Sequence, residues 1–436
     1  MHRINVFFRN GIILTFTSLI IKFISMWLNI FLSNTVSSDI LGTWSILMSV
    51  FFFLSTIAQS GINLASTRLI AEENSQGNQY NIPHILKSCL HYSVVFSLIS
   101  IFICIIFSSY ITHNILKDAL PIYLIYLLAL SLPFCSMSSC LQGYFMAVQK
   151  IFVFSIALLI EIFIQIIVVL LFYWMNILNT AENVCLALIL GLTMSDFCSF
   201  IFAFYTYNKQ VKPFRHNYKK NYIKQICKIS LPVAITTYIK SGLSTLKNAL
   251  IPITLTAYGF SYDKSLSYYG LISTTVMSLL LFPYTFIQSY GSLLIPKLST
   301  YNKKTEMKKI TSISFKSLKF TLFFSIFICT FFIIFAKFIN EKMYSALHIS
   351  TFIKILSPII IYIYMDNVID NILKSLDFQV FVMIINVIDL VISISLIKIL
   401  IPKFGIGGYI FILYFSEVFN FLLSLSVLKL KTKQER

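Results

Sequence analysis

Lys22 stands near the middle of an apolar stretch at residues 10–33, and Lys240 and Lys247 stand inside another at residues 229–257. Both stretches are long enough to cross a bilayer, where a cation near the centre costs roughly 2.5–3.5 kcal/mol on insertion scales. Such side chains persist where they face a water-filled cavity or a counter-charge. Cations lining a cavity inside a membrane suit an anionic cargo. Lys240 and Lys247 are seven residues apart, almost two helical turns, so they share a face with Thr236 or Thr237, Ser244 and Asn248. Pro232, Gly242 and Pro252 are expected to break or bend this helix, and irregular backbone at membrane depth belongs beside a cavity. The plainer alternative is that Lys247 snorkels to an interface and the hydroxyls bond to their own helix.

Lys22 lies about twelve residues into its 24-residue stretch, where snorkelling reaches least. Its alternative role is pairing with a carboxylate on another span. Arg68 follows Gly61 where the chain turns polar, and two readings compete for it. One is a cytoplasmic anchor paired with Glu72, four residues on; the other is a guard at the cytoplasmic mouth of the cavity.

Buried acids are the counterweight. Glu161 and Asp196 interrupt the fifth and sixth apolar stretches, Asp389 and Glu417 the last two. Asp366, Asp370 and Lys374 recur at four-residue spacing on one face of the tenth. Asp366 and Asp370, beside Asn367 and Asn371, offer a place for a coupling cation or proton, and Glu161 is a third candidate for ion coupling. The plainer reading is pairing between helices. No metal-ligand spacing, Ser–His–Asp arrangement or Gly-rich phosphate loop accompanies them, so neither a metal nor a cofactor is expected.

The elements that hold these residues follow from composition. Of 436 residues, 58% are hydrophobic and 11% charged, and the mean hydropathy is +0.84. A soluble surface of this size needs far more polar residues, so the chain reads as a multispanning all-α membrane protein. The first stretch is too long for a signal-peptide core and reads as a retained span. At about 20 residues per span, twelve are expected: 10–33, 41–65, 86–109, 120–147, 151–176, 183–207, 229–257, 268–295, 313–339, 350–374, 379–401 and 406–429. Eight scattered cysteines show neither metal spacing nor a paired framework and read as small packing residues.

The net charge of +18 could point to nucleic acid. Its lysines and arginines instead crowd alternate loops, at 208–228, at 296–309 and at the C-terminus, while residues 34–40 and 177–182 hold none. The positive-inside rule accounts for that asymmetry and puts both termini in the cytoplasm. No nucleic-acid partner is expected. The basic segment 208–228 divides the chain into a six-helix lobe at 1–207 and another at 229–436. An internal echo supports related halves: Gly42, Gly61 and Arg68 recur as Gly270, Gly291 and Lys297, with spacings that agree within two residues. Parallel repeats of this kind place substrate between two lobes that rock.

Several segments carry a family resemblance. GIILTFTSLIIKFISMWLNIFLSNTVSSDILGTWSI (11–46) and SGINLASTRLIAEENSQGN (60–78) resemble the first two spans of the stage V sporulation protein B group. That group lies in the multidrug/oligosaccharidyl-lipid/polysaccharide (MOP) exporter superfamily. LPIYLIYLLALSLPFCSMSSCLQGYFMAVQK (120–150), ISLPVAITTYIKSGLSTLKNALIPITLTAYG (229–259) and YYGLISTTVMSLLLFPYTFIQSYGSLLIPKLS (268–299) extend it over roughly the first 310 residues.

The resemblance implies a MATE-like fold of two lobes around a V-shaped cavity. It implies a flippase for an undecaprenyl-linked saccharide or peptidoglycan precursor, not an enzyme. Lys22, Lys240, Lys247 and Arg68 would then bind the pyrophosphate. Lys22 and Lys240 fall where similar sequences often place arginine, which keeps the charge but loses bidentate geometry toward phosphate. Lys247 falls where similar proteins can carry an acid. The two further C-terminal spans that form a lipid-tail groove in lipid II flippases are expected to be missing. The expected partners are the lipid-linked saccharide, membrane lipids and a glycosyltransferase or polymerase, the chain itself acting as a monomer.

Two rivals remain. A cation-coupled drug exporter of the same fold would want acids in the first lobe, whose first span holds a lysine and no Asp or Glu. A membrane-embedded polymerase or ligase would want a long outward loop with catalytic side chains, and the outward loops here are short.

Overall fold

A bilayer offers no water to bare backbone groups, so apolar runs fold there as helices. Every regular element among the described residues is helical. The computed structural model describes residues 2–210, 222–299, 307–344 and 348–434. In chain order the helices are α1 (His2–Thr35), α2 (Ser38–Gln59), α3 (Ile62–Ser75), α4 (Ile82–Tyr110), α5 (Tyr123–Ala129), α6 (Leu132–Ala147), α7 (Ile151–Trp174), α8 (Ala181–Gln210) and α9 (Ile223–Ala257). They continue as α10 (Tyr262–Tyr269), a π-helical segment at Gly270–Val276, α11 (Met277–Leu280), α12 (Tyr284–Ser299) and α13 (Met307–Met343). The chain closes with α14 (Ser350–Leu356), α15 (Ile359–Ser375), α16 (Gln379–Phe404) and α17 (Ile406–Gln434).

Among the described residues, nine helical stretches are long and apolar enough to span a membrane, or eleven if each of two bent pairs counts as one. Twelve were expected from the sequence. α9 makes the difference: its 35 residues suffice in length, but its lysines and hydroxyl side chains make it too polar. Large apolar side chains on these helices face outward, Phe327 and Ile334 being 66% and 67% exposed. Lipid covers such a surface; water would not tolerate it.

The bends have local causes. Pro283 separates α11 from α12, with 58° between the flanking stretches, and Pro358 separates α14 from α15, with 46°. Proline cannot donate the helical hydrogen bond and its ring crowds the preceding turn. Between α2 and α3, Ser60 and Gly61 both take the left-handed conformation, with φ of 43° and 69°. α9, by contrast, is one continuous helix through Pro232, Gly242 and Pro252; of the expected break or bend, the break is not there. A proline costs one helical bond and some curvature without ending a long helix. Gly242 serves closeness instead, because a Cβ there would lie 3.2 Å from the Phe53 ring.

The chain forms two compact units that follow packing rather than chain order. Unit 1 comprises Met1–Ile24 and Ile46–Thr245; unit 2 comprises Ser25–Ser45 and Leu246–Arg436. The basic linker expected at 208–228 falls mostly on residues 211–221, which lie outside the described residues. Unit 1 is centred on Ile62, Ile85, Leu86, Leu141, Phe145 and Ile226. In unit 2, α15 is the innermost helix, with Tyr364, Val368 and Ile372 fully buried.

Residues 25–45 belong to unit 2 because small polar side chains fasten them there. Asn29 Nδ2 donates to the Thr274 carbonyl at 3.0 Å, and the Ser33 and Thr275 hydroxyls meet at 3.3 Å. The Ser38 hydroxyl meets Ser267, and that of Ser45 meets Ser273. Small residues allow this approach: a Cβ on Gly270 would lie 2.9 Å from the Gly42 Cα.

Candidate functional site

Unit 1 holds Lys22, Lys240, Arg68 and Glu161; unit 2 holds Lys247, Asp366 and Asp370. Lys22 is half-buried on α1 and makes no ion pair with a described residue. Lys240 is exposed on α9. Its helix is docked on α2 by an adjacent face, through Tyr238, Ser241 and Thr245. Tyr238 donates to the Ser60 hydroxyl at 2.7 Å, Ser241 meets Thr56, and Thr245 donates to the Ser49 carbonyl at 2.8 Å. Lys240 is one residue before Ser241, about 100° round the helix, so docking leaves its stripe uncovered by α2. Thr236 and Thr237 donate to carbonyls of their own helix, the plainer of the readings offered for them.

A hydroxyl network fixes the α2–α3 corner. The Tyr92 hydroxyl lies 2.9 Å from both the Ser60 and Ser230 hydroxyls, and 3.2 Å from the Ser60 carbonyl. Gly61 permits it, since a Cβ there would lie 2.9 Å from the Ser230 carbonyl oxygen. Arg68 leaves this corner on α3 and pairs with Glu72, Nε to Oε1 at 2.9 Å, with both side chains more than half exposed.

Two acid clusters stand apart from the lysines in kind. In unit 1, Asp196 of α8 is buried, and its Oδ2 has no hydrogen-bond partner among the described residues. Glu161 of α7 and Cys135 of α6 lie within electrostatic reach of it. Gln59 donates to the Cys135 sulfur at 3.2 Å and accepts from Ser139 at 3.3 Å, so polar atoms continue toward α2.

In unit 2, α15, α12 and α17 contribute a second cluster. Asn367 Nδ2 donates to the Tyr284 hydroxyl at 2.6 Å, and Asn371 Nδ2 to the Asn367 carbonyl at 2.9 Å. Gly291 makes room, because a Cβ there would lie 3.1 Å from Asn367 Oδ1. Ser424 donates to Asp370 at 3.5 Å, while Asp366 Oδ1 and Asn420 Oδ1 are buried with no partner among the described residues. Asp366, Asp370 and Glu417 all lie within electrostatic reach of Tyr284, and Lys247 within reach of Glu417. Lys247 therefore has an acid for a neighbour, in the second cluster. Asp389 is occupied otherwise, accepting from Ser416 at 2.8 Å and from Ser393.

Among the described residues, no group of three or more His, Cys, Asp or Glu is placed to hold a metal ion. The orphaned oxygens of Asp196, Asp366 and Asn420 are where a proton or a weakly held cation would be satisfied. Sequence reading missed Tyr92, Ser60, Ser230 and Tyr284. Only the Ser-Gly pair at 60–61 gave a local signal, as a turn dipeptide inside an apolar run.

The chain is similar to one family profile, one curated relative and two solved structures. The profile of a family described as "Polysaccharide biosynthesis protein" matches residues 7–258. Stage V sporulation protein B of Bacillus subtilis (strain 168) is 21% identical over 414 residues, covering 92% of this chain and 79% of that protein. A multidrug resistance MATE family transporter of the MOP superfamily, in an inward-facing conformation, superposes with a TM-score of 0.77 at 10% identity, over 96% of this chain and 95% of its own. The lipid II flippase MurJ, in an inward closed conformation, gives 0.70 at 15% identity, over 96% and 87%.

Proposed function

Because the chain belongs to the polysaccharide biosynthesis protein family, we propose that it is a flippase moving a polyprenyl-pyrophosphate-linked saccharide across the cytoplasmic membrane. The observation that carries this reading is Lys22, a cation near the middle of α1 with no ion pair to a described residue, in the same unit as the exposed Lys240. In this reading the two ammonium groups take the pyrophosphate charge while the prenyl tail stays in lipid. At an effective dielectric of 20, one unit-charge pair at 4 Å is worth about 4 kcal/mol, enough to offset much of the water stripped from the headgroup.

The repeat halves at 1–207 and 229–436 alternate access, with both termini cytoplasmic and the basic segment 208–228 joining the halves. Lys247 and Arg68 are further candidates for binding the headgroup, each beside an acid, Glu417 and Glu72 respectively. The acids Asp366, Asp370 and Glu161 couple transport to a proton or cation. One charge moved through 100 mV supplies about 2.3 kcal/mol. A glycosyltransferase or polymerase supplies or consumes the cargo, and the chain works as a monomer without catalysing a reaction itself.

The test is translocation of a fluorescent polyprenyl-pyrophosphate saccharide in proteoliposomes. Lys22→Gln and Lys240→Gln, each inserted normally, are expected to transport at least tenfold more slowly; wild-type rates in both would remove the site. One observation favours a second reading, a cation-coupled drug exporter: the acid cluster at Asp196 and Glu161 lies inside unit 1. Efflux of a cationic dye that survives Lys22→Gln but not Asp196→Asn would support that reading instead.

A further inference from the structure

Unit 2 carries a groove of about 1140 Å³ between α13, α15 and α17, lined at its base by Met365 of α15. It exceeds the roughly 300–1,000 Å³ typical of small-molecule sites. Its lining is divided by chemistry. Lys308, Lys319 and Lys429 supply cations, while Phe315, Leu322 and Leu425 supply an apolar wall. Lys308 and Lys319 are eleven residues apart on α13, about three turns, so they share one face. No carboxylate lines the groove among the described residues.

The position along the helix matters as much as the composition. α13 has 37 residues, whereas about 20 cross the hydrocarbon. The excess therefore reaches into the headgroup region: Lys308 and Lys309 precede the expected span at 313–339, and Lys316 and Lys319 lie in its first two turns. The apolar wall is interleaved with these lysines and continues past Lys319 at Leu322. One more feature points to an occupant: the Ser314 hydroxyl lines the groove, is buried, and has no hydrogen-bond partner among the described residues. A buried hydroxyl left in that state is costly unless a ligand meets it.

We propose that this groove binds one anionic phospholipid of the adjoining leaflet, with its phosphate on the three lysines and an acyl chain along Phe315, Leu322 and Leu425. A second copy of the chain is a poor occupant, because a surface of three lysines on a protein of net charge +18 repels its own kind. The inference is independent of the cargo proposed above.

Replacing Trp27, Trp44 and Trp174 with Phe and introducing Phe315→Trp gives a reporter in the groove. Its quenching by brominated phosphatidylglycerol is expected at a mole fraction at least fivefold lower than by brominated phosphatidylcholine. Lys319→Gln with Lys429→Gln should abolish that preference, and Ser314→Ala should weaken it two- to threefold, while Lys337→Gln leaves it intact. Native mass spectrometry of the unmodified chain with the same two lipids reads the preference without any tryptophan replacement. Equal binding of both lipids there, or a preference indifferent to the lysine variants, overturns the proposal. So does displacement of phosphatidylglycerol by an equimolar polyprenyl phosphate, which would assign the groove to the cargo's tail.

Discussion

Gly42 and Gly270 touch: a Cβ on Gly270 would lie 2.9 Å from the Gly42 Cα and clash with the start of α2. These are the residues that open the matching segments of the internal echo, so positions that would correspond in the expected repeat meet face to face. Serines flank the contact, with Ser38 hydrogen-bonded to Ser267 and Ser45 to Ser273. Hydroxyl pairs and bare backbone hold by close packing and weak bonds, and such a contact can be made and unmade cheaply.

The first prediction follows from that contact. A Ser38→Cys, Ser267→Cys pair should form a disulfide in membranes on mild oxidation. If transport requires these helices to part, oxidation should reduce it at least tenfold and a reductant should restore it. Full transport in the oxidised protein would mean that the contact is permanent. Gly270→Leu should lower the yield of folded protein, because no rotamer removes the Cβ.

Arginine and glutamine at Lys22 separate charge from geometry. Lys22→Arg should retain transport or raise it up to severalfold through bidentate phosphate contacts. Lys22→Gln should lose at least tenfold. Equal loss in both variants would show that shape, not charge, is what the site reads there. Rates in proteoliposomes decide it.

The acid clusters predict a change in coupling without a loss of cargo binding. Asp366→Asn and Asp370→Asn should flatten the response of transport to an imposed proton or sodium gradient by at least threefold, while cargo affinity measured without a gradient holds within twofold. A parallel fall in affinity would move these residues into the cargo site.

The hydroxyl network at the α2–α3 corner predicts a stability effect. Tyr92→Phe removes contacts to Ser60 and Ser230, at about 1 kcal/mol for each bond lost. Thermal unfolding in detergent should shift down by a few degrees. Gly61→Ala should cost at least as much, because φ is 69° and the Ser230 carbonyl blocks the new methyl. An unchanged midpoint in both variants would mean that the corner is held from elsewhere.

Much of the helical organisation was legible because apolar runs in lipid have one backbone solution. α9 was legible too, as the stretch 229–257, although its lysines and hydroxyls make it polar. The helix runs unbroken through its prolines; Pro283 and Pro358, unremarked in the sequence, mark bends of 58° and 46° elsewhere. Arg68 showed its partner Glu72 through four-residue spacing alone. The Tyr92 network was invisible because serine and tyrosine in apolar helices look alike whether they pack or bond. Only the tertiary fold brings residues 60, 92, 230 and 238 to one point. Lys247 gave a similar lesson: its spacing from Lys240 is regular, yet its charged neighbour is Glu417, 170 residues later.

The two bent spans of unit 2 are joined at their elbows. The Tyr364 hydroxyl, on the first turns after Pro358, donates to the Leu280 carbonyl at 3.1 Å, just before Pro283. A crank on one rod is thus pinned to the crank on the next. The Asn367–Tyr284 bond joins the same two bent pairs close by, so straightening either would strain both contacts.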